Sequence, residues 1–274
     1  MTRGLKHATF NRAGLVRILS ETLPTPVNFQ YDFGERLGQW LDFQDALNLF
    51  SVLNASTGTP SLAPETATSP QANGLQAQLA RLRKQLGESI RNDGVFNGEN
   101  AKIRFPTPLP EATPASASDY APYHRYYLAH QRDMSNAIAA LRNQARKALA
   151  DRSPAHRQLA EIDAAFEKVL TMRERNLLAN IPILLAQRFK QRYAEHCAQL
   201  PQGGDESGSE STDTAANNAA SNAPASWAQP GGWLQTFCQN AQAVLLAELE
   251  LRLKLVSGLI AALGQGEPLT MSEQ

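Results

Sequence analysis

Residues 119–200 constrain the fold more than any other stretch. They hold two long amphipathic helical patterns separated only by Asp151-Arg152-Ser153-Pro154. In the first pattern Tyr123, Tyr127, His130, Met134, Ala137, Leu141, Ala145 and Ala148 recur by fours and threes. This is a heptad-like, coiled-coil-type seam, and the small residues near its end let a neighbouring helix come close. In the second, Leu159, Ile162, Phe166, Val169, Arg173, Leu177, Ile181, Leu184 and Arg188 define the expected seam. Ser153 is the expected N-cap, and Pro154 suits the first helical position, which needs no backbone donor. At 1.5 Å per residue the helices reach roughly 45 Å and 70 Å. So short a break makes them antiparallel neighbours. Pro182 removes one backbone donor and is expected to kink or disturb the second helix. Around it Leu177, Leu178, Ile181, Ile183, Leu184 and Leu185 are apolar on more than one side, which predicts cover from several partners.

Residues 233–264 supply a third long helix, with Leu234, Phe237, Cys238, Ala241, Leu245, Leu249, Arg252, Val256, Leu259 and Leu263 in helical register. The run Glu248 to Leu255 alternates like a strand. Helix is still the reading, because Leu, Glu and Lys favour it, both flanks are helical and no second strand is evident. Upstream, residues 11–23 read as a short helix stopped by Pro24 and Pro26. From Asn28 the residues Phe29, Phe33, Leu37 and Trp40 line one face, and Leu47, Phe50 and Leu53 continue an apolar pattern beyond the candidate cap Asp42. One bent helix and two separate helices both fit. The aromatic stripe reads as core rather than as a ligand pocket. Leu75, Leu79, Leu82, Leu86 and Ile90 form a further stripe, beside a solvated basic cluster of Arg81, Arg83 and Lys84.

The expected layout is an N-terminal helical subdomain (1–55), a linker (56–73), a helix (74–93) and a Pro-rich loop (94–118), within which Ile103 and Phe105 form a candidate apolar clip. The long hairpin (119–200) follows, then a disordered acidic low-complexity linker (201–232), the C-terminal helix (233–264) and a tail (265–274). The fold class is all-α: a long antiparallel hairpin plus C-terminal helix forming a bundle, with a small N-terminal helical subdomain and disordered linkers.

Lys plus Arg and Asp plus Glu each number 26, so global charge gives no pull toward nucleic acid or an anionic membrane. Locally, residues 120–200 carry 13 basic and 7 acidic residues, and residues 201–274 carry 2 and 8. The plain reading is that the acidic C-terminal region compensates the basic hairpin within the fold. The most hydrophobic window, Val244 to Leu263, contains Glu248, Glu250, Arg252 and Lys254, each costing about 2.5–3.5 kcal/mol at a bilayer centre, so no span is expected. The first ten residues lack an apolar core, so no signal peptide is expected. Cys197 and Cys238 belong to no CxxC, which suits a reducing compartment and two buried apolar thiols.

No catalytic frame stands out. His7, His124, His130, His156 and His196 show no metal-ligand spacing, and no phosphate loop or nucleophile motif occurs. Glu161 and Asp163 lie two apart and face apart on a helix. No enzyme activity, cofactor or metal is expected. The cluster Tyr123, Arg125 and Tyr126 has two readings: a platform stacking on single-stranded nucleic acid, or the wide start of a helix seam.

Several stretches resemble a bacterial family of domains of unknown function, proteobacterial in type. They include Leu15-Val16-Arg17-Ile18-Leu19, Glu35-Arg36-Leu37-Gly38-Gln39-Trp40-Leu41-Asp42, Tyr126-Tyr127-Leu128, Arg173-Glu174-Arg175 and Leu245 to Leu253. The Leu-Gly-Gln-Trp-Leu run is the most specific piece. The resemblance covers most helical segments and carries over no site residues. It implies a bacterial, non-secreted protein and an accessory role near an envelope assembly of flagellar-stator-like and peptidoglycan-binding components. The function expected is therefore a cytoplasmic, non-enzymatic helical scaffold that binds a protein partner or itself, with peripheral envelope association left open. The alternative is a nucleic-acid binder that uses the basic hairpin.

Overall fold

In the computed structural model one non-helical residue, Ser153, separates the two long helices. The structure describes residues 14–22, 43–54, 70–92, 106, 113–199 and 224–265. Among them every regular element is a helix. In chain order these are α1 (Gly14–Thr22), α2 (Phe43–Asn54), α3 (Pro70–Arg91), the single turn α4 (Pro114–Ala117), α5 (Ala121–Arg152), α6 (Pro154–Gln199), the single turn α7 (Pro224–Trp227) and α8 (Trp233–Gly264). The expected all-α bundle, with a central hairpin and a covering C-terminal helix, is the observed one.

The hairpin turn forms as its chemistry dictates. Ser153 Oγ lies 2.8 Å from His156 Nδ1 and accepts from the His156 backbone N–H at 3.4 Å, so it caps α6. The Arg157 guanidinium reaches back and donates to the Ala150 carbonyl, one of the last α5 acceptors without an intrahelical donor. The same turn grips the end of α8. Arg152 donates to the Leu263 carbonyl, and His156 Nε2 lies 3.3 Å from the Ala262 oxygen. At the opposite end Phe237 of α8 packs edge-on against Phe189 of α6 and Tyr123 of α5. The last helix therefore runs parallel to α5 and antiparallel to α6.

Helix α8 is the hub, touching α1, α3, α5, α6 and α7. Its buried residues include Val244, Leu245, Leu249, Leu253, Val256 and Ile260, which lie on several sides of the helix. In the strand-like run Leu249 and Leu253 are buried, Leu251 is half-buried and Leu255 is exposed, the graded burial of a helix rather than the one covered face of a strand. Each fully buried leucine contributes about 1.5–3 kcal/mol. Helix α3 lies antiparallel on α8, with Arg83 3.2 Å from Glu250 and Gln242 donating to the Ile90 carbonyl at 2.9 Å. Helix α1 packs on α8, and α2 packs on α6, where Gln158 donates to the Leu53 carbonyl.

Several expectations are corrected. Helix α3 starts at Pro70, inside the expected linker, because proline fits a first turn and Ala72 is buried there. A helical turn at Pro114–Ala117 interrupts the Pro-rich loop, and Ala117 is buried. The expected disordered linker contains α7, because Trp227 is buried against Tyr193 and Trp233. Cys197 is exposed, whereas Cys238 is buried. The segment around Phe29, Phe33 and Trp40, the clip at Ile103 and Phe105, the linker from 56 to 69, residues 201–223 and the tail from 266 lie outside the described residues.

The seam of α6 is the most informative correction. Its buried residues are His156, Ala160, Leu178, Ile181, Pro182, Leu185 and Phe189, a row offset from the apolar stripe expected. From Ile162 to Leu177 no apolar residue is fully buried, and Leu177 and Ile183 are exposed rather than covered on all sides.

A two-glycine corner lets α7 dock. Gly231 adopts φ +89°, and a Cβ on Gly232 would stand 2.1 Å from the Trp227 carbonyl oxygen. Gly232→Ala is expected to lose about 1–3 kcal/mol by forcing Trp227 outward. Gly258→Ala, in mid-α8 with nothing within 4 Å of its Cβ position, is expected to gain about 0.5–1 kcal/mol. Urea unfolding of the two variants, read by circular dichroism, checks the opposite signs.

Candidate functional site

The centre of the bundle is polar. Glu248 of α8 is wholly buried. Tyr127 donates its hydroxyl to Glu248 Oε2 at 2.9 Å, and Gln131 donates its amide to both carboxylate oxygens at 3.0 and 3.1 Å. Arg252, one turn on, pairs with Glu248 Oε1 at 2.7 Å and reaches Ser135 of α5 and Glu174 of α6. Burial, and then the Glu248 charge, push the Tyr127 phenol well above its ordinary range, so it stays a donor. Gln131 also donates to the Leu178 carbonyl at 3.2 Å. That oxygen is the one left without an intrahelical donor by Pro182, four residues later. Helix α6 thus continues through its proline, and a side chain of α5 supplies the missing hydrogen bond.

A second network locks the hairpin to itself. Arg142 meets Asp163 at 2.6 Å and Glu167 at 3.1 Å, while Arg146 meets Asp163 at 2.6 Å and Glu167 at 2.5 Å. Burial raises the Asp163 pKa, but hydrogen bonds from Arg142 and Arg146 outweigh it and hold the carboxyl below the usual range. These residues explain the rotated seam. The side of α6 facing α5 carries Asp163 and Glu167, so an apolar-stripe reading selects the wrong face. They also revise the charge reading: these hairpin arginines are neutralised within the hairpin, and the acidic residues from 205 to 213 lie outside the described residues.

Part of the apolar surface of α6 remains exposed, including Leu177 of the expected seam. Met172, Leu177 and Ile183 are more than half exposed on α6, and α2, which packs on α6, exposes Leu47, Phe50 and Leu53. Of the seven large hydrophobic residues exposed among the described ones, only Leu255 lies elsewhere. Among the described residues, six of these seven therefore belong to one helix pair. Lys168 and Arg175, also exposed, lie about one turn either side of Met172, four and three residues from it.

The three candidate contacts to nucleic acid separate. Tyr123 and Tyr126 are buried, with Tyr123 against Phe189 and Phe237 and Tyr126 against His130. Arg125 alone is exposed. A base needs an open ring face, and α5 turns both rings inward. Among the described residues no three His, Cys, Asp or Glu side chains gather to hold a metal, and no helix is long and apolar enough to cross a membrane. The opposite end of the bundle from the hairpin turn is aromatic. Phe189, Tyr193, His196, Trp227 and Trp233 form a continuous group with ring centroids 5.2 to 6.1 Å apart.

A family model described as "Protein of unknown function (DUF3348)" matches residues 1–265. No curated protein and no solved structure matches the chain.

Removing the central carboxylate leaves Arg252, Gln131 and Tyr127 without their shared acceptor. Glu248→Ala is expected to cost about 3–5 kcal/mol in chemical denaturation, against about 1–3 kcal/mol for Tyr127→Phe. His130 supplies a pH test. Burial lowers its pKa from 6.5 to about 4, against a small opposing pull from Asp133. The folded state therefore binds fewer protons than the unfolded state between those values. The His130 contribution is complete above pH 6.5 and falls as pH drops toward 4. In His130→Phe that part of the slope of unfolding free energy against pH should disappear, whatever the variant's absolute stability.

Proposed function

We propose that this chain, which belongs to the DUF3348 family of proteins of unknown function, is a non-enzymatic interaction protein. Its partner is a protein that lays an amphipathic helix along the exposed side of α6 around Met172 and Ile183. One observation carries this reading: Met172 and Ile183, eleven residues apart and so on one side of α6, are more than half exposed, as is Leu177 further round the helix, while charged residues occupy the face turned to α5. The bundle gains little from such an arrangement, since Leu177 and Ile183, each a little over half exposed, forgo about half of the roughly 1.5–3 kcal/mol that full burial of such a side chain gives. An apolar groove-filling helix recovers that free energy, with anchors at i, i+3, i+4 and i+7. Lys168 and Arg175 at the edge favour an acidic border on that helix. The resemblance drawn from the sequence supports a bacterial, cytoplasmic setting beside a stator-like envelope assembly. A nucleic-acid role has less support, because Tyr123 and Tyr126 face the core.

The test is affinity capture from the native host with the full chain and with Leu177→Glu/Ile183→Glu. The unsubstituted chain should retain a specific protein that the double variant binds at least about tenfold more weakly, at equal helicity. Sedimentation velocity of the purified chain distinguishes a second copy from another protein. A monomer whose captured proteins do not change with the double substitution overturns the reading.

A further inference from the structure

Helix α6 carries a second seam, on the side opposite its buried row of Ile181, Leu185 and Phe189. Gln158, Ile162, Ala165 and Val169 recur by fours and threes. The same spacing continues unbroken through Met172, Asn176, Ala179, Ile183 and Ala186 to Lys190. Such spacing keeps one face of a helix toward one neighbour over many turns. The first half of this seam is occupied. Gln158 donates its amide to the Leu53 carbonyl at 3.0 Å, near the end of α2, and Ile162, Ala165 and Val169 are half-buried. Because α6 begins at Pro154, close below Gln158, the body of α2 lies along α6 toward higher residue numbers. Its 12 residues span about 18 Å, which reaches the level of about residue 170. There the cover ends: Met172, Asn176, Ala179 and Ile183 are all exposed.

Continuity with the track of α2 calls for another helix at the same spacing, and the distance from Met172 to Ala186, about 21 Å, takes about four turns of one. Ala179 and Ala186 leave room for large apolar side chains opposite. Asn176 stands between Met172 and Ile183, where an apolar residue packs better. An amide at a single seam position instead fixes register and favours a polar residue facing it. From residue 168 to residue 190 the chain carries five basic residues and one acidic residue, Glu174, which faces Arg252 of α8 at 3.7 Å. Lys168 and Arg175 flank the seam and Lys190 ends it, all three exposed, so its border is basic. A second copy of this face would set like charges against each other, whereas an acidic helix is attracted to it.

We propose that the open half of this seam, from Met172 to Ala186, selects a protein partner that supplies one acidic amphipathic helix with a polar residue set against Asn176. Lys168, Arg175 and Lys190 choose the charge of that helix, and Asn176 chooses its register. This rests on the reading of α6 as an interaction face and adds which kind of helix the face takes.

The probe is a synthetic helical peptide of about three heptads, with leucine at its seam positions, one central asparagine among them and glutamate at the flanking positions. The glutamates repel one another and keep the peptide from pairing with itself. Its fluorescein-labelled form is titrated with the full chain and read by anisotropy. Saturable binding is expected with Kd at or below roughly 100 μM, and about tenfold weaker when lysine replaces glutamate. Asn176 is exposed, so Asn176→Leu should keep its helicity, and it should invert one preference: a peptide with leucine in place of its asparagine then binds about tenfold better than the original. Lys168→Glu/Arg175→Glu should invert the preference for charge. A merely structural role produces neither exchange. Absence of saturation, equal binding of the glutamate and lysine peptides, or a preference unmoved by Asn176→Leu overturns the proposal. Tighter binding after Phe33→Asp/Leu37→Asp also overturns it, since the chain itself then fills the seam, as does a dimer in sedimentation that Ile183→Glu dissociates. The peptide is measured without host proteins. Host capture lost on Leu177→Glu/Ile183→Glu, beside an indifferent peptide, therefore removes this inference alone, while peptide selectivity beside a capture that the substitutions leave unchanged counts against the interaction reading alone.

Discussion

The bundle depends on one buried carboxylate. Glu248 sits where α5, α6 and α8 meet, and an uncompensated charge there costs several kcal/mol. Its position is tolerable only because donors arrive from more than one helix. Tyr127 and Gln131 come from α5 and Arg252 from the next turn of α8, while Arg252 extends the chain of contacts to Glu174 on α6. Such a set of bonds fixes rotation and register together. A one-turn slip of α8 would leave the carboxylate without donors, whereas leucine packing alone would tolerate the slip with modest loss. The polar centre therefore selects one register from the several that the nearly all-round apolar α8 allows.

Gln131 connects that centre to a second problem. A proline inside a helix orphans the carbonyl four residues earlier. Here that carbonyl is Leu178, and the amide that satisfies it also holds Glu248. The continuity of α6 and the burial of Glu248 thus share one side chain. Below this level, the Arg142 and Arg146 network joins the two arms of the hairpin through Asp163 and Glu167, in surroundings dry enough for the pairs to matter. The first third of α6 is consequently held largely by charge, and its distal half by apolar packing from Leu178 to Phe189.

The two ends of the molecule differ in kind. The hairpin-turn end closes with Ser153, His156, Arg152 and the last carbonyls of α8, so donors and acceptors match. The aromatic end buries five nitrogens that have no acceptor among the described residues. A sixth such nitrogen, His130 Nε2, lies along α5 rather than at that end.

The sequence by itself determined the helices, because helical periodicity, caps and prolines act over a few residues. Ser153-Pro154 marked the turn, the stripe from Leu75 to Ile90 marked α3, and the aromatic and alanine seam of α5 named its core face. What only the tertiary structure decided involves residues far apart in the chain. The buried face of α6 was misread because Asp163 and Glu167 sit where apolar residues are expected, and their partners are 17 to 25 residues away. The direction of α8 rests on contacts from Arg152 and His156 to its last turn, more than 100 residues distant. Trp227, in a stretch that reads as low-complexity, is buried because Tyr193 and Trp233 flank it and Gly231-Gly232 turns the chain. A local pattern reports which faces are apolar. Which polar groups the interior can satisfy depends on who the neighbours are, and only the assembled bundle supplies them.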